Sequence, residues 1–238
     1  EGGLWIGTFY GGVDYISPVG KRFEAFTIET GLTGNVISHF CEDRQGRIWI
    51  ASDDGGLMCY SPQEQRFVDY PHRSQLAQQN VHALCLRNNA PGSAASTSEE
   101  LWIGTYTNGV LVLDIEKGTL RQFTNEASPR SLDNSSSYAI FNDSKGRIWV
   151  ATMAGLNLYS PEGQDFERIR TLGAMTIDID EDAQGSLWLS TQGDGLWCYQ
   201  PEKKGWKHYR HEAKDEQSLP NDHVNCAYVD ETGFGFTL

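Results

Sequence analysis

The chain has 238 residues, and 19 Lys and Arg against 32 Asp and Glu leave a formal net charge of −13. That balance argues against sequence-independent binding of nucleic-acid phosphates and against adhesion to an anionic lipid surface, both of which need clustered Lys and Arg. With 39% hydrophobic residues, 25 Gly and 7 Trp, the composition supports a folded core with many tight turns, and no apolar run approaches the ~18 residues of a membrane span.

The chain opens on Glu-Gly-Gly, with neither an initiator Met nor a signal peptide, and so reads as a piece of something longer. A pentapeptide pattern then recurs: LWIGT at Leu4–Thr8, IWIAS at Ile48–Ser52, LWIGT at Leu101–Thr105, IWVAT at Ile148–Thr152 and LWLST at Leu187–Thr191. Its anchors Trp5, Trp49, Trp102, Trp149 and Trp188 lie 44, 53, 47 and 39 residues apart. A strand-like segment precedes each later anchor, at Ile37–Glu42, Val81–Leu86, Ser137–Asn142 and Thr176–Glu181, and a further one lies at Val224–Val229. Asp-x-x-Gly follows at Asp43, Asp143, Asp182 and Asp230, the residues of a tight turn between antiparallel strands. After each anchor comes a Gly-bearing loop and a third strand: Val13–Ser17, Leu57–Ser61, Val110–Ile115, Leu156–Ser160 and Leu196–Gln200. Fourth strands carry apolar pairs such as Phe23/Phe26, Phe67/Tyr70, Phe166/Ile169 and Trp206/Tyr209.

Four short strands per ~45 residues without helical periodicity predict an all-β chain, a β-propeller of four-stranded antiparallel blades. About five blades are expected over a single domain or propeller fragment spanning 1–238. The ring is either closed with five blades, Val224–Val229 completing the blade begun by Leu4–Phe26, or a cut-out of a larger ring. The spacing of 53 contains nine extra residues within Asn88–Glu100, a Pro/Gly/Ser/Ala-rich stretch expected to be a flexible loop insertion.

Ile37–Tyr60 (ISHFCEDRQGRIWIASDDGGLMCY) and Ser137–Tyr159 (SYAIFNDSKGRIWVATMAGLNLY) resemble the two-component regulator propeller repeat. The resemblance runs over nearly the whole chain; Arg87 departs from it where the turn Asp is expected. It implies paired seven-bladed propellers in the extracytoplasmic sensor of hybrid histidine kinases of Bacteroidetes. With that come a periplasmic location, a carbohydrate signal and a non-catalytic role. Seven blades exceed the repeats present, which favours the fragment over a closed ring of five.

Loops on a rigid scaffold are the usual home of binding residues. Those after the Trp strands offer Phe9, Tyr10, Asp53, Asp54, Tyr106, Asn108, Gln192 and Asp194, and the inter-blade connections add Asn35, Asn80, Asn134, Asn221, Asp222 and His223. Aromatic faces beside carboxylates and amides suit an oligosaccharide, whose C–H faces stack while its hydroxyls take directional hydrogen bonds. Asp, Asn and Gly are also what turns require, so Tyr10 and Tyr106 are the strongest candidates.

Other signals are weaker. Asp178, Asp180 and Asp182 form Asp-x-Asp-x-Asp, yet Ala183 and Leu189 stand where a calcium loop has Gly and Glu, so no metal is expected. The five Cys (41, 59, 85, 198 and 226) contain no Cys-x-x-Cys pair and are expected to be free, buried thiols. His39, His82 and His223 lie on or before inner strands. Streptogramin-inactivating lyases have distantly similar repeats and an axial His, but no catalytic partner accompanies these residues.

The leading expectation is thus a ligand-sensing propeller without cofactor that binds an oligosaccharide, docks a second propeller or homodimer partner, and touches neither nucleic acid nor membrane. A protein-interaction platform is the second reading and a propeller lyase the third.

Overall fold

The computed structural model describes residues 3–18, 23–87, 98–230 and 233–237. Most of the expected insertion, residues 88–97, lies outside the described residues.

The chain is all-β, in sheets of sequential antiparallel strands. The first sheet has three strands, β1 (Leu4–Thr8), β2 (Gly12–Ile16) and β3 (Phe23–Phe26). Four four-stranded sheets follow. They are β4 (Ile37–Glu42), β5 (Ile48–Ser52), β6 (Gly56–Ser61) and β7 (Arg66–Phe67); then β8 (Val81–Arg87), β9 (Glu100–Thr105), β10 (Val110–Asp114) and β11 (Leu120–Phe123). Next come β12 (Ser137–Asn142), β13 (Ile148–Thr152), β14 (Gly155–Ser160) and β15 (Asp165–Thr171), then β16 (Thr176–Glu181), β17 (Leu187–Thr191), β18 (Leu196–Gln200) and β19 (Gly205–Tyr209). The last sheet is a hairpin of β20 (Cys226–Asp230) and β21 (Gly233–Thr237). These are propeller blades. The hairpin corrects one expectation: the terminal strand does not complete the first blade but pairs with β21, from Cys226 opposite Thr237 to Asp230 opposite Gly233, and opens a blade of its own.

The described residues fall into two compact units, one running to Gln122 and the other from Phe123 onward. Within each, successive sheets bury their central strands on both faces: every residue of β5, β6 and β13 is buried. Alternation sends the Trp of one strand and the aliphatics of the next sheet to the same interface. In the first unit Trp49, Leu57 and Tyr70 pack with Leu101, Ile103, Leu111 and Leu113; in the second Trp149 and Leu156 pack with Leu187, Leu189 and Tyr199.

The turn Asp does more than turn the chain. Asp43 Oδ1 accepts the N–H groups of Gln45 (2.9 Å) and Arg47 (3.0 Å), and Oδ2 accepts Arg47 Nε (2.7 Å) and the Trp49 indole N–H (2.9 Å). Asp143 repeats the pattern with Lys145, Arg147 and Trp149, at 2.5 to 3.0 Å. Asp182 holds the N–H groups of Gln184 and Ser186 and the Trp188 indole. A buried indole N–H needs an acceptor, and the six-residue spacing supplies one from the repeat itself. In the third repeat, which has Arg87 there, Glu100 takes the Trp102 indole at 3.3 Å. Polar ties also join neighbouring blades: Glu99, 3% exposed, accepts the Arg44 N–H, and Glu181 accepts both the N–H and the hydroxyl of Ser144.

Partial burial raises the Asp182 pKa, but bonds from Ser186, Trp188 and Gln184 outweigh it and leave the carboxyl below its ordinary value of 3.8. The stability that this carboxylate adds is complete above that value and is lost as acid titrates through the lower folded one. Melting temperatures taken from about pH 5 to about pH 2 should fall less steeply in Asp182→Asn than in the parent; parallel curves would refute the assignment.

Candidate ligand-binding site

Each Trp strand ends on Ser or Thr, and the residue after it is held by its backbone. The N–H of Asp53 donates to Val36 O at 2.9 Å, Tyr106 to Asn80 O at 3.0 Å, Met153 to Ser136 O at 2.9 Å and Gln192 to Met175 O at 3.0 Å. Phe9 holds the same place in the first repeat and bridges to Val36. With the backbone occupied, the side chain is left to solvent: Phe9 is 72% exposed, and Tyr106 and Met153 46% each. One position of the repeat therefore displays a different exposed or half-exposed side chain in each of the five Trp-anchored blades.

In the first unit these positions build a mixed aromatic and polar rim. Phe9 and Tyr10 meet edge to face at 4.4 Å, and Tyr10 is 71% exposed. The Asn80 amide donates to Asp53 O at 2.6 Å. His82, second residue of β8, places Nε2 3.5 Å from Asp53 Oδ1 and its ring 6.0 Å from that of Tyr106. Burial lowers the His82 pKa, and the Asp53 charge opposes this without reversing it, so the imidazole is neutral at neutral pH. Asn108 is engaged locally, its amide donating to Gln79 Oε1 at 2.7 Å and its carbonyl accepting from Gln122 at 3.0 Å.

Asp54 belongs to the scaffold. Its Oδ1 accepts the Val36 N–H (2.9 Å) and the Ser52 hydroxyl (2.7 Å), and its Oδ2 the Asn35 N–H (3.3 Å). Partial burial pushes its pKa up, but these bonds win and hold it below the ordinary value. The carboxylate ties the incoming connection to the post-Trp loop.

In the second unit Gln192 bridges to His223, and the Gly193 and Gly195 N–H groups both donate to Asp222 O. Gln192 and His223 are exposed. Asp194 turns inward: Oδ2 accepts the Trp197 indole at 3.1 Å, and Oδ1 lies 3.6 Å from His208 Nε2 and 3.7 Å from Arg210 Nε. The Trp197 ring stacks on His208 at 3.6 Å, with the Arg170 guanidinium 4.6 Å from its centroid. The His211 N–H holds the Asp222 carboxyl below its usual range; burial opposes it, and the Arg210 charge adds to the lowering.

Two segments, 31–54 and 131–154, match the family model of the two component regulator propeller. Those two segments carry the regulator propeller repeat. The curated proteins contain no match. Among solved structures, the extracellular domain of the hybrid two component system BT3049 from B. thetaiotaomicron superposes with a TM-score of 0.76 at 18% identity, covering 98% of this chain and 30% of that one. The extracellular domain of BT4673 from the same organism gives 0.66 at 19% identity, over 99% and 35%. PorZ, a surface component of the type-IX secretion system of Porphyromonas gingivalis, gives 0.68 at 15%, over 94% and 34%. These likenesses show the fold, and the chain spans about a third of each structure's length.

His82 and Met153 were not singled out for this rim by sequence reasoning. Met153 was findable, because it shares the post-Trp position with Tyr106. The contact of His82 depends on the neighbouring blade. Asp178 and Asp180 accept the Ala227 and Val229 N–H groups at 3.0 and 2.7 Å, and Asp182 turns to Trp188, so protein donors occupy all three carboxylates. No metal-ligating cluster is present among the described residues. All five Cys are free thiols, but only Cys59 and Cys198 are buried. Cys226 is exposed and Cys41 and Cys85 are half-buried, each on the first strand of its sheet.

Proposed function

We propose that the chain is the ligand-binding part of an extracytoplasmic two-component sensor, recognising an oligosaccharide on the rim of its first unit and signalling to a histidine kinase. The observation that carries this reading is the post-Trp position, where exposed Phe9 and Tyr106 stand beside Tyr10, Asp53, Asn80 and His82. Pyranose C–H faces stack on such rings, while the carboxylate, amide and neutral imidazole match hydroxyls in either hydrogen-bonding sense. The fold shared with extracellular domains of hybrid two component systems supports a location outside the cytoplasm. The task is binding rather than bond-making, and occupancy would bias a conformational equilibrium passed to the kinase.

The test is a thermal-shift screen against plant, host and microbial oligosaccharides, with calorimetry on hits. One saccharide class should raise the melt, and Tyr10→Ala with Tyr106→Ala should weaken its binding at least about tenfold while leaving the melting temperature nearly unchanged. Full affinity in the double variant would remove these residues from the site. A flat screen would favour the docking-platform reading, for which Leu4 (57% exposed), Ile6 (36%) and Phe23 (69%) present an apolar surface. Consumption of the ligand would point to a lyase.

A further inference from the structure

The rim of the first unit holds a carboxylate that the protein leaves without a counter-charge. Each of the seven described Lys and Arg residues of that unit faces a carboxylate within 4.0 Å, and in none of these pairs is it Asp53. The neighbouring Asp54 spends both oxygens on Val36, Asn35 and Ser52. Asp53 is built the other way round. Its N–H and carbonyl serve the scaffold, through Val36 O and the Asn80 amide, and its carboxylate stays 42% exposed. Among the described residues the group facing that carboxylate is His82, with Nε2 3.5 Å from Oδ1. Burial keeps this imidazole uncharged at neutral pH, so it does not cancel the Asp53 charge.

Aromatic residues stand on both sides of it. Val36 links Asp53 to Phe9 and Asn80 links it to Tyr106, so the order around the rim is Phe9, Asp53, Tyr106. The Tyr106 ring lies 6.0 Å from that of His82, so the same imidazole borders both the phenol and the carboxylate. A neutral sugar can donate hydroxyls to this carboxylate, and a uronic acid is repelled by it. A sugar ammonium gains a charge-assisted hydrogen bond from it and attraction from the aromatic faces as well. The net charge of −13 adds a long-range pull on cations.

We propose, granting the saccharide rim, that its ligand is an amino sugar: an oligosaccharide with an unacetylated, protonated amine that Asp53 receives between Phe9 and Tyr106. Asp53 is then the residue that sets the charge class of the ligand.

Calorimetric titration of the chain with fully deacetylated chitotriose, its N-acetylated counterpart, trigalacturonate and cadaverine tests this. The deacetylated trimer should bind at least about fivefold tighter than the acetylated one, a hydrogen bond to a charged group discounted for solvent screening. The difference should shrink as salt is raised and as alkali deprotonates the sugar amine. Trigalacturonate and cadaverine should show no saturable binding, the first for its charge and the second for want of a pyranose face. Asp53→Asn should bring the deacetylated trimer down to the affinity of the acetylated one. Asp69→Asn, which removes an equal charge from the Arg73 pair, should keep the preference. Equal or tighter binding of the acetylated trimer, the acidic trimer or cadaverine, or a preference that survives Asp53→Asn, would overturn the amine assignment and leave the saccharide rim standing. No binding by any saccharide, in the wider screen as well, would remove both.

Discussion

Asp143→Ala is expected to destabilise the second unit by about 3–5 kcal/mol. The carboxylate is fully buried and takes four donors: two backbone N–H groups, the Arg147 guanidinium and the Trp149 indole. Removing it leaves a buried N–H without an acceptor, an arginine without its counter-charge and a turn without its internal tie. Asp143→Asn keeps one carbonyl oxygen and should lose roughly half as much. Thermal and denaturant unfolding of both variants measure this, and a loss under about 1 kcal/mol for alanine would show that the other groups carry the turn. Arg87 makes the comparison informative, since the third blade is built without the turn Asp and relies on Glu100.

Gly195→Ala should cost about 3 kcal/mol, from a left-handed backbone worth ~1–2 kcal/mol and an overlap worth ~1–3 kcal/mol. Gly195 has φ +72°, and a methyl group there would overlap the Tyr209 backbone carbonyl oxygen. Gly46→Ala is the control: φ is +73°, but the nearest atom to the added carbon is Glu42 Oε1 at 3.8 Å, so only the backbone part should appear. Equal losses at the two positions would refute the overlap. Gly195 also shapes the second unit's rim, because its carbonyl accepts the Thr191 hydroxyl at 2.7 Å and its N–H donates to Asp222 O at 2.8 Å, closing the loop that carries Gln192 and Asp194.

The repeating part of this molecule was legible because it rests on local patterns. Trp every ~45 residues, alternation along five-residue strands and Asp-x-x-Gly turns locate the blades, and β4, β12, β16 and β18 fall where the pattern puts them. What escaped depended on partners from elsewhere in the chain. Asp54 looks like a free carboxylate in SDDGG until Val36, 18 residues earlier, returns to meet it. Asp178 and Asp180 resemble a cation site until a strand 49 residues later brings two N–H groups. The Asp230 turn pointed to a strand after it, but β21 has no Trp to mark it as an anchor, and His82 was missed because its neighbours Asp53 and Tyr106 lie on two different blades.

The post-Trp position separates two demands that usually compete. Its N–H, which the scaffold uses, belongs to every amino acid but proline, while the side chain that solvent meets is Phe, Asp, Tyr, Met or Gln in successive repeats. A substitution there changes the exposed surface without disturbing a core contact, so variants can accumulate independently in each blade. Selection can thus retune this surface one residue at a time on an unchanged scaffold, and a chain of such repeats can acquire a new chemical preference without first acquiring new stability.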